Sequence, residues 1–291
     1  MDWSWLELQN PVAIWWMFLV TVSLGNMTAW FWSRRFLQQK LTKESDLEAR
    51  QLVRLLLLAS AGYVFGCAFR SFLPRADVQR ICLFDTWFSS VMLGRSVATV
   101  AELCYVFQWA IAIRYLARKA NCPWALTVSS LIVPMIAFAE CCSWFAVIST
   151  NYLGNSIEES TWGLTYVLIA TALIQLFSRF RLGLQVFLGV SIAGCLLYVG
   201  FMATVDVPMY VTRLLADLEN HKTYFGLAEG LHDLNTHWTV THSITDWRTE
   251  IPWMSLYFSL AVWVSLVLCH LPYSEKKLNH FRRPAKVEPG L

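Results

Sequence analysis

Charge is scarce in this chain. Asp, Glu, Lys and Arg make up 15% of its 291 residues, against about a quarter in an ordinary soluble domain. Its basic residues form no long run and do not alternate with aromatics, so no nucleic-acid partner is expected. The sequence also lacks H-E-x-x-H, G-x-S-x-G, Walker and dinucleotide-type glycine patterns, and with them the usual signatures of zinc proteases, serine hydrolases and nucleotide sites. No pattern names a cofactor. The eight cysteines include no C-x-x-C, and most fall in apolar runs, where Cys behaves as a small hydrophobe. Cys67 and Cys82 fall toward the same side, which leaves a disulfide open to them. The first residues have neither a basic n-region nor a small-residue cleavage site, so the first apolar run is expected to be retained as an anchor.

Apolar residues are abundant. The chain is 56% hydrophobic with a mean hydropathy of +0.46, and several runs approach or exceed the roughly 20 residues that span a bilayer. The runs cover 11–33, 52–72, 86–115, 123–148, 162–177, 182–205 and 251–271. The expected fold class is therefore all-α: a polytopic membrane protein, a seven-transmembrane-helix bundle with an outer amphipathic cap over 206–250 and a basic cytoplasmic tail over 273–291. Fifteen Trp, many near the ends of these runs, suit interfacial belts. Residues 34–51 and 149–161 read as polar connections. Pro134 is expected to kink the fourth span. Gly189, Ser191, Ala193 and Gly194 in the sixth suit close helix packing. Val211, Leu214, Leu215, Leu218 and Phe225 suggest an amphipathic helix lying on the membrane surface.

Lys and Arg sort by side: sixteen fall on one side of these spans, six on the other, and Arg95 inside. The positive-inside rule then places the N-terminus outside and the tail in the cytoplasm. Rhodopsins and G-protein-coupled receptors share that topology. Here the last span has no Lys for retinal, however, and the third ends Ile113-Arg114-Tyr115 instead of in the receptor-type motif.

The third span carries the strongest functional signal. Arg95, Thr99 and Glu102 fall at i, i+4 and i+7 and share one helical face, with Ser96 beside them. A charge at bilayer depth costs several kcal/mol unless paired or wetted. Regular helices place Arg95 and Glu140 at a common depth, roughly 12–14 Å below the outer surface, so an Arg95–Glu140 ion pair is expected. Glu102 lies about 10 Å deeper, with Gln175 or water to meet it and no cation at its level. These residues are the catalytic candidates, with Ser96 and Thr99 as substrate contacts.

Arg70, Arg75 and Arg80, with Asp77, Asp85 and Asp206, gather at the outer mouth, where Arg suits bidentate contact with phosphate or carboxylate. His232, His237 and His242 recur every five residues, a spacing that spreads them around a helix; they are weak metal candidates, and no metal site is favoured.

Three readings of function follow. One is a membrane-embedded enzyme acting on a lipid or other anionic amphiphile from the outer leaflet, with Arg95 as anion holder and Glu102 or Glu140 as acid and base. Another is a transporter or ligand-responsive protein with Glu102 as its protonatable site. The third is an assembly subunit whose polar residues only stitch helices together. Membrane lipids and an anionic or amphiphilic small molecule are the expected partners.

Overall fold

The computed structural model describes residues 5, 6, 10–42 and 46–279. Lys43 and the tail residues Arg282, Arg283 and Lys286 lie outside the described residues. The protein is mostly helical, and seven of its helical segments are long and apolar enough to cross a membrane. They are α1 (Pro11–Leu41), α2 (Leu47–Phe72), α3 (Val91–Lys119), α4 (Pro123–Ser149), α5 (Tyr152–Phe177), a sixth that begins with α6 (Leu182–Phe201), and a seventh over Glu250–Ser274. Consecutive helices pack against each other from α1 to α6. The seventh segment closes on α1, α2 and α3, and α3 also meets α5.

Helix ends follow local chemistry more than hydropathy. Pro11 opens α1, and the Asn10 side chain accepts from the Val12 amide at 2.9 Å, a cap that uses an otherwise orphaned donor. α1 runs to Leu41 rather than stopping at 33, because Arg34, Arg35, Gln38, Gln39 and Lys40 are good helix formers and Leu37 and Leu41 stay buried. Asp46 caps α2. The third helix begins at Val91, capped by Ser90, rather than at 86; residues 87–89 form a single 3₁₀ turn. Pro134 is accommodated inside α4.

Two expectations about the second half of the chain are overturned. The fifth helix begins at Tyr152, ten residues before the expected 162, so most of the supposed polar loop is helix. The expected surface helix also continues the sixth span. α6 passes through a π-helical turn, Met202–Asp206, into α7 (Val207–Glu219), forming a 38-residue helix about 57 Å long. Its small residues do not support tight packing: α6 buries only Leu184, Leu188 and Cys195, and nothing stands where a Cβ on Gly194 would project.

The fold is not purely helical. Three two-residue strands, β1 (Arg75–Ala76), β2 (Ile81–Cys82) and β3 (Thr239–Val240), form a small sheet. β1 and β2 pair antiparallel, β2 and β3 parallel. The sheet joins the α2–α3 connection to the chain after α8 (Leu227–Thr236), and it marks one end of the bundle. There α8 seats Leu234 against Val91 and Val147. Beyond α9 (Ile244–Trp247), α10 (Glu250–Leu256) leads through a second π-helical turn, Tyr257–Ala261, into α11 (Val262–Asn279). Near the middle of the bundle, buried Gln108 donates to the carbonyls of Leu56 and Ser265 at 3.0 and 3.2 Å, and Ser265 Oγ donates back to Gln108 Oε1 at 2.6 Å. That node ties α2, α3 and α11 and satisfies polar groups that would otherwise be costly to bury. Cys67 and Cys82 are both free thiols, so the disulfide open to them does not form.

Candidate functional site

The polar centre lies between α3, α4 and α5 in the half of the bundle nearer the sheet. Arg95 stands four residues into α3, about 6 Å along its axis. Its Nη2 reaches Glu140 Oε2 on α4 at 2.7 Å, Glu158 Oε1 on α5 at 3.2 Å and Glu102 Oε2 on its own helix at 3.4 Å. The expected Arg95–Glu140 contact is present. Glu102, expected to lie beyond any cation, is instead reached by the long Arg95 side chain. Gln175 does not meet it, because Gln175 accepts from Cys122 Sγ at 3.3 Å.

The surrounding groups hold this arrangement in place. Thr99 Oγ1 donates to Glu140 Oε2 at 2.6 Å and accepts from Trp144 Nε1 at 3.1 Å. Asn155 Nδ2 donates to Glu158 Oε2 at 3.4 Å. Glu102 and Glu140 lie close enough to share a hydrogen bond, and Glu159 and Asp206 add further acid within electrostatic reach of Glu158 or Glu159. Among the described residues, two sealed atoms of the centre, Glu140 Oε1 and Arg95 Nε, have no hydrogen-bond partner. One terminal nitrogen has two N–H bonds to give, yet three carboxylates crowd against it.

Glu158 is the member that sequence reading missed, together with Asn155. Both fell in a stretch read as loop because of its polar content. The usable signal was periodic: Asn155, Glu158, Trp162, Thr165 and Ile169 are all buried and recur at helical spacing. Ser96 does not join the centre. Its hydroxyl donates to the Met92 carbonyl at 2.8 Å, and it lines an open, largely apolar groove of about 390 Å³ between α2 and α3 with Gly62, Gly66 and Val97.

Of the three arginines at the sheet end, two are spent on structure. Arg80, which has a φ of 56°, donates to Asp233 on α8, to the Asp77 carbonyl and, at 2.7 Å, to the Val147 carbonyl near the end of α4. Arg75 is 1% exposed and pairs with Asp77 at 2.8 Å. It packs so closely on Gly94 that a Cβ there would collide with its Cδ and guanidinium. Arg70 is also buried, but makes no hydrogen bond or ion pair among the described residues; its guanidinium lies near the Trp253 and Phe258 rings instead.

Asp77 sets a testable pH dependence. Burial alone would raise its carboxyl, but Arg75, then Arg70 and Arg95, hold it below the ordinary carboxylate range. A group depressed in the folded state contributes stability that is present above its unfolded value, about 3.9, and is lost as pH falls through the folded value. Thermal unfolding followed between pH 7 and the lowest tolerated pH should show an acid-side loss that Asp77→Asn reduces. Identical acid limbs in both proteins would overturn this assignment.

The histidines do not converge. His232 is exposed. His237 pairs with Asp233 at 2.9 Å, and His242 Nε2 donates to the Leu83 carbonyl at 2.9 Å while stacking on Trp5. Among the described residues, no group of three or more His, Cys, Asp or Glu is placed to hold a metal ion. Compared with protein-family models, curated proteins and solved structures, the chain matches none.

Proposed function

We propose that this is a multi-pass membrane protein whose Arg95–Glu102–Glu140–Glu158 centre takes up and releases a proton, as a transporter or ligand-responsive protein would. The observation that carries the reading is three carboxylates on one guanidinium nitrogen. With all three ionised the group is two charges out of balance in a medium of low dielectric, and like charges at this range do not all ionise. One proton shared among the carboxyls removes half of that imbalance and a second removes the rest, and these protons belong to the set rather than to any one residue.

The three acids sit on α3, α4 and α5, so the protonation state decides which pair of helices Arg95 holds together. A local charge change biasing alternative helix arrangements is the physical basis of a switch. Reading Arg95 as a holder for an anionic substrate fits less well, because its Nη2 is committed to the chain's own carboxylates. In this proposal the sheet end faces outside, as the Lys and Arg distribution suggests, and lipids cover the apolar side chains exposed along α6, such as Val186, Val190 and Leu197.

Infrared spectroscopy of the purified protein in lipid discs tests the reading through the carbonyl stretch of protonated carboxyls. Wild type should show a buried protonated-carboxyl band that titrates reversibly, and Glu102→Gln or Glu140→Gln should remove or shift it. A wild type without such a band, or variants with the same band, would defeat the proposal.

A further inference from the structure

We infer that Arg70 is the receptor for an oxyanion, a phosphate or carboxylate group, at the sheet end of the bundle. Arg70 lies in the last turn of α2 and is 5% exposed. Its Nε is sealed from solvent without an acceptor, and the guanidinium makes no hydrogen bond or ion pair among the described residues. The nearby carboxylates have other partners: Asp77 hydrogen-bonds Arg75, and Glu250 accepts from Trp253 Nε1 and Gln79 Nε2. A buried cation that contacts no counter-charge is costly; Asp77 lies within electrostatic reach of Arg70 but pairs with Arg75, so Arg70 stands apart from Arg75, Arg80 and Arg95, each of which contacts an acid.

The neighbouring groups define what would bind. The seventh segment presents Trp253 and Phe258 with ring centres 5.8 and 5.7 Å from the Arg70 guanidinium. Phe258 lies within a π-helical turn, Tyr257–Ala261, and Trp253 about one helical turn before it; such a widened turn re-aims side chains, often at functional sites. With aromatic rings beside the planar cation, its N–H edge is left for two oxygens in plane, the geometry of a bidentate carboxylate or phosphate. Tyr257 offers a further donor: its hydroxyl is buried without a hydrogen-bond partner among the described residues and lies within electrostatic reach of Arg70, Glu102 and Glu140. The Arg70 site does not depend on the proton-exchange reading, and its test is blind to the carboxyl band.

The ligand's oxyanion could belong to a free solute or to a lipid headgroup, and two probes separate them. Full-length protein in phosphatidylcholine discs is titrated with inorganic phosphate. In parallel, discs containing phosphatidylglycerol are analysed by native mass spectrometry for retained lipid. Phosphate binding that Arg70→Gln weakens roughly ten- to hundredfold, as loss of charge-assisted hydrogen bonds implies, supports the inference with a free anion as ligand. A defined number of phosphatidylglycerol molecules retained by wild type and released by Arg70→Gln supports it with a headgroup as ligand. Without either probe, Arg70→Gln should unfold at the same temperature as wild type or higher, since an unpaired buried charge has been removed. Tyr257→Phe, which keeps every charge, should weaken binding several-fold. If neither probe binds wild type, or if Arg70→Gln binds both as wild type does, the inference is overturned. Should Arg70→Gln fail to fold, wild-type affinity in both Arg70→Lys and Tyr257→Phe overturns it equally.

Discussion

Arg95→Ala is expected to destabilise the protein by about 3–5 kcal/mol, the usual result of removing one partner from a buried ionic group. Three carboxyls on α3, α4 and α5 would lose the cation they share. Neutralising the acids as well should recover much of the loss: Arg95→Met combined with Glu102→Gln, Glu140→Gln and Glu158→Gln leaves no buried net charge. Denaturant unfolding in detergent, followed by circular dichroism, compares wild type, the single variant and the fourfold variant. The destabilisation should also shrink in acid, where carboxylates neutralise themselves. A loss below about 1 kcal/mol, the range of an exposed ion pair, would mean that Arg95 does not hold these helices together.

Gly154 provides the second large effect, with an internal control on the same helix. It lies in the first turn of α5, one turn before Glu158. A Cβ added there would stand 2.5 Å from the Cys142 carbonyl oxygen and 2.8 Å from the Ala146 Cβ on α4. Backbone atoms on α4 cannot swing aside, so α5 itself must move, at a cost of about 1–3 kcal/mol for overpacking. Gly163 on the same helix meets only Met202 Cβ at 3.5 Å, an ordinary contact. Gly163→Ala should therefore be neutral or stabilising by up to about 1 kcal/mol through backbone entropy. The two identical substitutions should separate in unfolding midpoint, Gly154→Ala below wild type and Gly163→Ala at or above it. Gly154→Ala should also alter the carboxyl infrared band, because moving α5 moves Glu158. Equal midpoints would show that α4 and α5 do not pack as closely as this geometry requires.

The success of the Arg95–Glu140 expectation and the failure over Glu158 have one origin. Arg95 and Glu140 lie in apolar surroundings, where a single charge stands out against hydropathy, and regular helical rise places both at similar depth. Glu158 lies among Asn151, Asn155, Ser156, Glu159 and Ser160, a composition that reads as loop although its periodicity is helical. Glu102 was visible as a candidate but its partner was not. Sequence depth locates a Cα, whereas an arginine side chain reaches more than a helical turn from its own. Arg70 shows the limit from the other side. It is one of three arginines near the end of the bundle, and although it alone falls inside an apolar run, over 52–72, the order of residues does not show which of the three lacks an acid.

The sequence by itself determined seven apolar helical segments, a charged third span, and the asymmetry of Lys and Arg from which orientation is proposed. All of these rest on the residue-by-residue cost of burying polar groups. Tertiary structure alone decided the continuation of the sixth helix through a π-helical turn, the small sheet that clasps the ends, and the gathering of three carboxylates on one arginine. It also decided that Arg75, Arg80 and Arg95 each meet an acid while Arg70, among the described residues, does not. Those outcomes depend on how side chains from helices far apart in the chain meet at contact distance, and that is settled by packing, where a shift of one ångström makes or breaks an ion pair.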